Sequence, residues 1–575
     1  METPRRTMER KIQKKVQASL LKIRQATCCS VDAHENNLDS MEVIDSHENN
    51  LDSVDVFNDS SSSSVTDSPP NYLISQQITD DLVDGPVLGI ELEAYRSITV
   101  SKKSQLVNWA LTHNVTHSAL SDLLGLIRNW LPNDNFPVDP RTLVQSPKQI
   151  TLVPLGAGEF FHFGITPHIN SFLNQQNLFS FSLPKFDSLN CSNLLTITIG
   201  IDGLLISKSS TYEFWPILGR IDQDKTSQVF VISLYCGLKK PDNIESFLGP
   251  FVNEMNSLEQ NGLQFNNTLF NIRIRCIVAD APARSFVKNI KTHNAYFGCE
   301  RCYRRGKWYR NRVTYPIKNK ADAYTNDSYR QRWYQSHHKG TSPLEILKLD
   351  MIFQIPLDYM HLVCLGIMKK LLTVWVEGPL PHKLSVKQVR LISNKLEAFR
   401  KYIPSNFSRK CRGLDQLRHF KATEYRTFLL YIGPFSLKRV LTTEKFDHFL
   451  HLHTAMYILA TETQSNEWLN FAEQLIDKFV SLIPKLYYKE MMVYNFHSLT
   501  HITDEVRIHG CLDRFSAFEF ESFMQKIKRL LRSNSCHLSQ VVWKKLLEII
   551  LITQLLLVIL REANLYQLMI EITAI

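Results

Sequence analysis

The sequence predicts an α/β fold built on a mixed β-sheet, interrupted by a large, mainly helical insertion and preceded by a disordered N-terminal region. Three observations predict it. A central block holds short β-branched runs, "LLTITIGID", "YEFWPILGRI" and "SQVFVISLYCG", followed by a helical stretch, a fourth run and a second helix. An aspartate closes the first and the fourth of those runs, at Asp202 and Asp280. Beyond Cys302 the pattern turns long and helical, from about Ser342 to Leu486.

The elements follow in chain order. Residues 1–26 are basic, with Ile12, Val16, Leu20 and Ile23 at helical spacing, and predict a short amphipathic helix. Residues 27–85 are acidic and rich in Ser and Asn, a linker too polar to bury a core. "HENNLDS" begins there at both His34 and His47, and two short copies make a local duplication, not a solenoid. Residues 86–190 read as a helical lead-in domain, with a helix pair ended by Pro132. Residues 191–300 hold the first part of the sheet, 301–490 the helical insertion, and 491–535 a late amphipathic helix. Phe520, Met524, Ile527 and Leu531 share one face of that helix. Residues 536–575 form an atypical apolar tail. Its run from Leu546 to Leu560 carries Glu548 and Gln554 and is shorter than the roughly 20 residues of a membrane helix, so it reads as a packing helix and no membrane partner is expected.

Composition narrows the class. At 575 residues, 44% of them hydrophobic, the chain is long enough for several domains. The net charge of +10 favours an acidic partner such as nucleic acid. Eleven scattered cysteines point to free or metal-bound thiols in a reducing compartment, not to a disulfide framework. The charged start "METPRRTMERKIQKK" does not read as a signal peptide.

The order β-β-β-α-β-α opens the ribonuclease H-like fold, which places acids at the ends of its first and fourth strands. Asp202 and Asp280 occupy those places. Read singly, each is more readily a strand-end turn or cap residue, and Asp-Gly is a turn dipeptide. Together with a third acid from a later helix they would bind two Mg²⁺ or Mn²⁺ ions, hard cations that prefer oxygen. Cys299 and Cys302 form a Cys-x-x-Cys pair after Gly298, and His497 and His501 stand at i, i+4. The four side chains would make a closed Cys₂His₂ site for one structural Zn²⁺, linking the insertion to the sheet.

Four blocks carry a family likeness: "IGIDGLLISKSSTYEFWPILGRI", "ADAPARSFVKNIKTHNAYFGCERC", "IPLDYMHLVCLGIMKKLL" and "NFHSLTHITDEVRIHGCLDRFSAFEFESFMQKIKRLLR". In this order they resemble the CACTA, or En/Spm-type, DNA transposases, over about Leu88 to Arg532. That family belongs to a wider group with Chapaev, Transib and the catalytic subunit of the V(D)J recombinase. The resemblance implies a ribonuclease H-like domain with a DDE triad of Asp202, Asp280 and Glu521, with Glu519 the nearby competitor. It implies the same zinc set and, from "DYMH", supporting roles for Asp358 and His361. The resemblance ends past Arg532, and no zinc finger for reading element ends precedes the core.

The expected reaction is cleavage of double-stranded DNA at element ends and strand transfer to a target, by a homodimer in the nucleus. "RKIQKK" is a weak nuclear-localisation signal. DNA contacts are expected from Arg301, Arg304, Arg305, Lys307 and Arg310 in the aromatic-rich strip "RCYRRGKWYRNR", and from Lys526, Lys528 and Arg529. The alternative is a transposase-derived protein without catalysis that binds DNA as a scaffold. A third reading, a nuclease for RNA hybrids, fits poorly with so long an insertion.

Overall fold

The computed structural model describes residues 101–549, apart from 114, 145–149, 181–192, 208–210, 225, 227, 317–320 and 463. The amphipathic helix expected over 1–26, the acidic linker 27–85 with its duplicated heptapeptide, and tail residues 550–575 lie outside the described residues.

Eight strands form one mixed sheet: β1 (Val153–Leu155), β2 (Gly158–His162), β3 (Leu194–Ile201), β4 (Leu204–Leu205), β5 (Glu213–Ile221), β6 (Val229–Gly237), β7 (Leu263–Phe265) and β8 (Thr268–Val278). The order across the sheet is β1-β2-β6-β5-β3-β8-β7, with β4 beside β5. Every pairing is antiparallel except β3 with β8, which run parallel. A parallel neighbour needs a crossover, and helix α4 below supplies it.

The three quoted runs, the fourth run and the two helices all occur where the residue pattern places them. The hairpin β1–β2 was not anticipated. It lies inside the stretch read as a helical lead-in and joins the sheet through β6, because strands of three and five residues give too few alternations to register. The helices there are α1 (Lys102–Thr112), α2 (His117–Trp130) and α3 (Thr166–Ser180). Thr116 caps α2 by accepting from the Ala119 amide at 3.1 Å.

Apolar side chains alternate along the strands and build a core on each face of the sheet. On one face Ile197, Ile199, Trp215 and Ile217 pack under α4 (Ile244–Asn261), through Phe247, Leu248, Phe251 and Met255. Asn243 starts α4 by accepting from the Ser246 amide at 3.0 Å. On the other face Phe214, Leu218, Leu234, Cys276 and Val278 pack under the insertion. The insertion centres on α6 (Thr443–Ala460) and α7 (Asn466–Leu486), and after it come α8 (Ile502–His509) and α9 (Phe518–Arg529). Of the one-face quartet read from the sequence, Phe520, Met524 and Ile527 are buried and Leu531 packs against that core.

Strand β8 would otherwise expose an unpaired edge. Residues in the early part of the insertion cover it: the Ile277 amide donates to the Gln354 carbonyl at 2.7 Å, and Gln354 Nε2 donates to the Ile274 carbonyl at 2.8 Å. The first part of the tail is also a packed element. A helix over 537–549 sends Leu538, Val541 and Val542 into the insertion-side core and Leu547 into the cluster of α1 and α2. No helix among the described residues is long and apolar enough to cross a membrane.

Candidate active site and metal centre

Strands β3 and β8 run side by side with Gly200 opposite Val278. Two residues further on in each strand stand Asp202 and Asp280, so parallel pairing in register brings both acids to the same end of the sheet. Both also serve locally. Asp202 Oδ1 accepts from the Gly203 amide at 2.7 Å, and Asp280 Oδ1 accepts from the Ala283 amide at 2.7 Å, starting helix α5 (Ala281–Val287). The turn and cap readings of these residues therefore coexist with a place in a cluster.

The third acid arrives on α9. Phe520 lies flat against Gly200, where a Cβ would stand 2.5 Å from its ring. Residue 200 must be glycine for the helix to sit this close, and the next residue, Glu521, then faces Asp202. Glu519 points elsewhere, into an ion pair with Arg220.

A histidine completes the cluster. His361 Nε2 lies 3.6 Å from Glu521 Oε1 and 3.8 Å from Asp202 Oδ2. One ligand atom from each of Asp202, His361 and Glu521 falls within 4.8 Å of the others. Behind it, buried Asp358 accepts from His361 Nδ1 at 2.7 Å and from the His361 amide at 2.8 Å. Its other oxygen accepts from the Ala517 amide at 2.8 Å, at the start of α9. Asp358 thus ties the wide-turned helix Met360–Met368 to the helix that carries Glu521.

Crowding sets the electrostatics. Burial and the charges of Asp280 and Glu521 push the Asp202 carboxyl well above the usual range, against the pull of His361 and the Gly203 amide. Burial, with Asp358 and Asp280 nearby, likewise raises Glu521. Burial alone would lower His361, but its bond to Asp358 and the surrounding acids raise it to about 9. At neutral pH one imidazolium faces several acids. The side chains whose ligand atoms converge are two carboxylates and one imidazole, Asp202, Glu521 and His361, a group that could hold a metal ion, with Asp280 beside it and outside that group.

The second cluster is the predicted thiol–imidazole set. Cys299 Sγ lies 3.6 Å from Cys302 Sγ and 3.6 Å from His501 Nε2, and Cys302 Sγ lies 3.4 Å from His497 Nε2. A tetrahedral zinc with Zn–S of about 2.3 Å and Zn–N of about 2.0 Å requires sulfurs about 3.8 Å apart and S···N near about 3.6 Å. The four residues can therefore hold a metal such as zinc. Burial resists ionisation of Cys299, but Cys302, His497 and His501 bring its thiol well below the usual range, toward the thiolate that zinc needs. The histidines do not share one regular α-helix as their spacing predicts. His497 ends a short helix, Tyr494–Ser498, and His501 lies in the tighter turn Leu499–His501. Their rings stand 5.2 Å apart and nearly perpendicular, and Tyr315 stacks on His497 at 4.9 Å. At Gly298 a Cβ would come within 2.5 Å of the Thr292 carbonyl, so the thiol turn is closely packed.

A buried ionic network joins the two clusters. Arg284 donates to the Ala279 carbonyl beside Asp280 at 2.7 Å and to Glu300, between the two cysteines, at 2.9 Å. Tyr494 donates to Glu300 at 2.9 Å, and Lys288 lies 3.4 Å from its other oxygen. Sequence reasoning missed Arg284, Glu300 and Lys288. The available signal was charge at positions enclosed by apolar residues and metal ligands.

One expected DNA contact is corrected here. Arg301 is buried, paired with Glu505 at 2.5 Å and donating to the Ile355 carbonyl at 2.8 Å, so it is a structural residue and does not face solvent. Arg304 is half-buried; Arg305, Lys307 and Arg310 are exposed, Arg310 in an ion pair with Glu490 at 2.6 Å. On α9 Lys526 and Arg529 are exposed and Lys528 is half-buried. Lys528 lies seven residues past Glu521 and so on its face of the helix. Lys526 lines an open groove between α9 and the insertion.

A serine–histidine–glutamate arrangement elsewhere has no catalytic geometry. His162 contacts Ser233 at 2.8 Å and Glu254 at 3.1 Å, but Ser233 is fully buried and cannot meet a substrate. Glu254 serves the fold, accepting from the Ile165 and Thr166 amides at the start of α3.

In comparisons with known proteins, no family model matches the chain and no curated protein matches it.

Proposed function

We propose that this chain is a DNA transposase of the CACTA type, cleaving and joining DNA strands at a two-metal DDE site in a ribonuclease H-like domain. One observation carries the reading: Asp202 and Asp280 stand at the same end of adjacent parallel strands, and Glu521, from a helix more than 200 residues downstream, converges on Asp202 within the field of Asp280. The strand order β6-β5-β3-β8, with only the last pair parallel, agrees with a ribonuclease H-like core.

Asp202, Asp280 and Glu521 would hold two Mg²⁺ or Mn²⁺ ions, which when bound supply an activated oxygen nucleophile and charge neutralisation at the scissile phosphate. The acids act as ligands and not as nucleophiles. Phosphorus chemistry of this kind is in-line, first with water and then with the freed 3′-hydroxyl, and leaves no protein-linked intermediate. His361, locked by Asp358, keeps the carboxylates of Asp202 and Glu521 turned inward. The Cys₂His₂ set ties the loop after α5 to the segment leading into α9. The exposed basic side chains on α9 would neutralise phosphates. In a cell the protein would act in the nucleus, as a homodimer on paired DNA ends.

The test is metal-dependent nicking of supercoiled DNA by the parent, Asp202→Asn and Asp280→Asn proteins. Loss of at least about 10³-fold in rate is expected, with DNA binding retained. Equal nicking by parent and variants removes the acids from catalysis. DNA binding without nicking by the parent leaves the DNA-binding scaffold as the surviving reading.

A further inference from the structure

The strip Arg301–Arg312 divides in the folded chain. Its first residues enter the buried ionic network, while its last residues form a separate two-stranded ribbon, β9 (Lys307–Tyr309) and β10 (Arg312–Thr314). Tyr309 pairs with Arg312, and the two-residue loop between them, Arg310-Asn311, has φ of 44° and 61°. Two left-handed residues give the tight loop whose twist matches a hairpin. The arrangement is natural for asparagine and uncommon for arginine.

The ribbon is fixed at its base. Val313 packs with Cys299, Cys302 and Tyr315, and the Tyr315 amide donates to the Met492 carbonyl at 2.6 Å. Several of its side chains are open to solvent. Trp308 is 60% exposed and Tyr309 38%, and Lys307, Arg310 and Arg312 are exposed as well. Residues directly opposite in a ribbon share a face, so Tyr309 and Arg312 stand side by side, with Lys307 two residues along on the same face. No acid occurs from Arg301 through Pro316, and Glu490 reaches the ribbon from outside, pairing with Arg310. An exposed tryptophan among cations contributes nothing to the core. Aromatic rings interleaved with arginine and lysine on a rigid ribbon match a polyanion with flat bases.

We infer that the ribbon β9–β10 is a DNA-contacting wing anchored on the Cys₂His₂ centre. Lys307 and Arg312 lie on phosphates, and the Arg310-Asn311 end enters a groove of the duplex, with the exposed Trp308 ring against the strand beside it. A two-stranded ribbon fits the roughly 12 Å major groove. The inference rests on the DNA-processing reading above and adds to it the element that grips the duplex.

The test uses the full chain and a fluorescein-labelled DNA duplex, with anisotropy followed across a salt series. A single-stranded RNA of the same sequence is run in parallel. Lys307→Ala with Arg312→Ala should weaken duplex binding about tenfold or more and lower the slope of log affinity against log salt by roughly two. Trp308→Ala should weaken it several-fold and leave that slope unchanged. Zinc content and circular dichroism equal to the parent's show that the variants fold. A parent that binds duplex while all variants bind it equally well overturns the wing alone. Losses confined to RNA also overturn it, in favour of an RNA contact. A parent that binds no DNA at low salt overturns the wing and the transposase reading together.

Discussion

The acid cluster at the ends of β3 and β8 and the thiol–imidazole cluster at Cys299 are both assembled from distant parts of the chain, but they are opposite in electrostatic design. The acid cluster collects like charges. Asp202, Glu521 and His361 keep between 18% and 31% of their side chains open to solvent, and both acids are pushed upward by their neighbours. The thiol cluster is closed: both cysteines are buried, the contacts match one tetrahedral ion, and a ring stacks over one histidine. An open, charge-frustrated site gains from cations and leaves room for a substrate. A closed site with four protein ligands has no free position and holds the fold. The difference teaches that burial and charge balance, as much as residue type, set the two clusters apart.

The contrast can be broken most severely at the closed centre. Zinc bound at a thousandfold above its dissociation constant adds about 4 kcal/mol to folding. Stripping it with a chelator should therefore lower the thermal midpoint strongly, and one zinc per chain should be found by atomic absorption before treatment. Protein that lacks zinc and melts at the same temperature with or without chelator would mean that the centre is no brace.

The acid cluster depends on packing behind it. Gly200→Val should force Phe520 and α9 outward, costing about 1–3 kcal/mol and reducing nicking, since Glu521 moves with the helix. Shortening the ring, Phe520→Leu in the same chain, should recover part of both losses. Urea unfolding and nicking rates measure the coupling, and simple additivity of the two changes would deny the contact its positioning role.

The smallest effect is in pH. In metal-free protein His361 is raised to about 9, above its ordinary value of 6.5. A raised histidine contributes stability that is complete below about 6.5 and is lost as pH rises through about 9. Against His361→Asn, the parent should lose roughly 2 kcal/mol of its advantage between those limits. A difference that stays constant with pH would mean that the imidazole does not carry the charge in the cluster.

Much of this was legible from residues alone. The β-branched runs marked four central strands because alternation and apolar content are local properties. The helical stretch after the third run was marked for the same reason. Cys299 with Cys302, and His497 with His501, were visible as spaced pairs. Other features were not legible. The hairpin β1–β2 was too short to give a period. His497 and His501 were expected on one helix and lie across a tighter turn. Arg301, inside a basic strip, looked like a DNA contact and is a buried partner of Glu505. Spacing does not report which charges a distant segment will cover.

The sequence by itself determined the identities that make each cluster possible: carboxylates at strand ends, sulfur and imidazole pairs at metal spacing, and a glycine at 200. Only the tertiary structure decided their neighbours. It chose Glu521 over Glu519 because Phe520 seats on Gly200 and turns one carboxylate toward Asp202 while Arg220 takes the other. It joined the two halves of the Cys₂His₂ set across nearly 200 residues, and it sorted the arginines into buried braces and exposed cations. The physical reason is that hydrophobic periodicity is written locally along the chain, whereas charge compensation and metal geometry depend on distances that exist only once distant segments have packed.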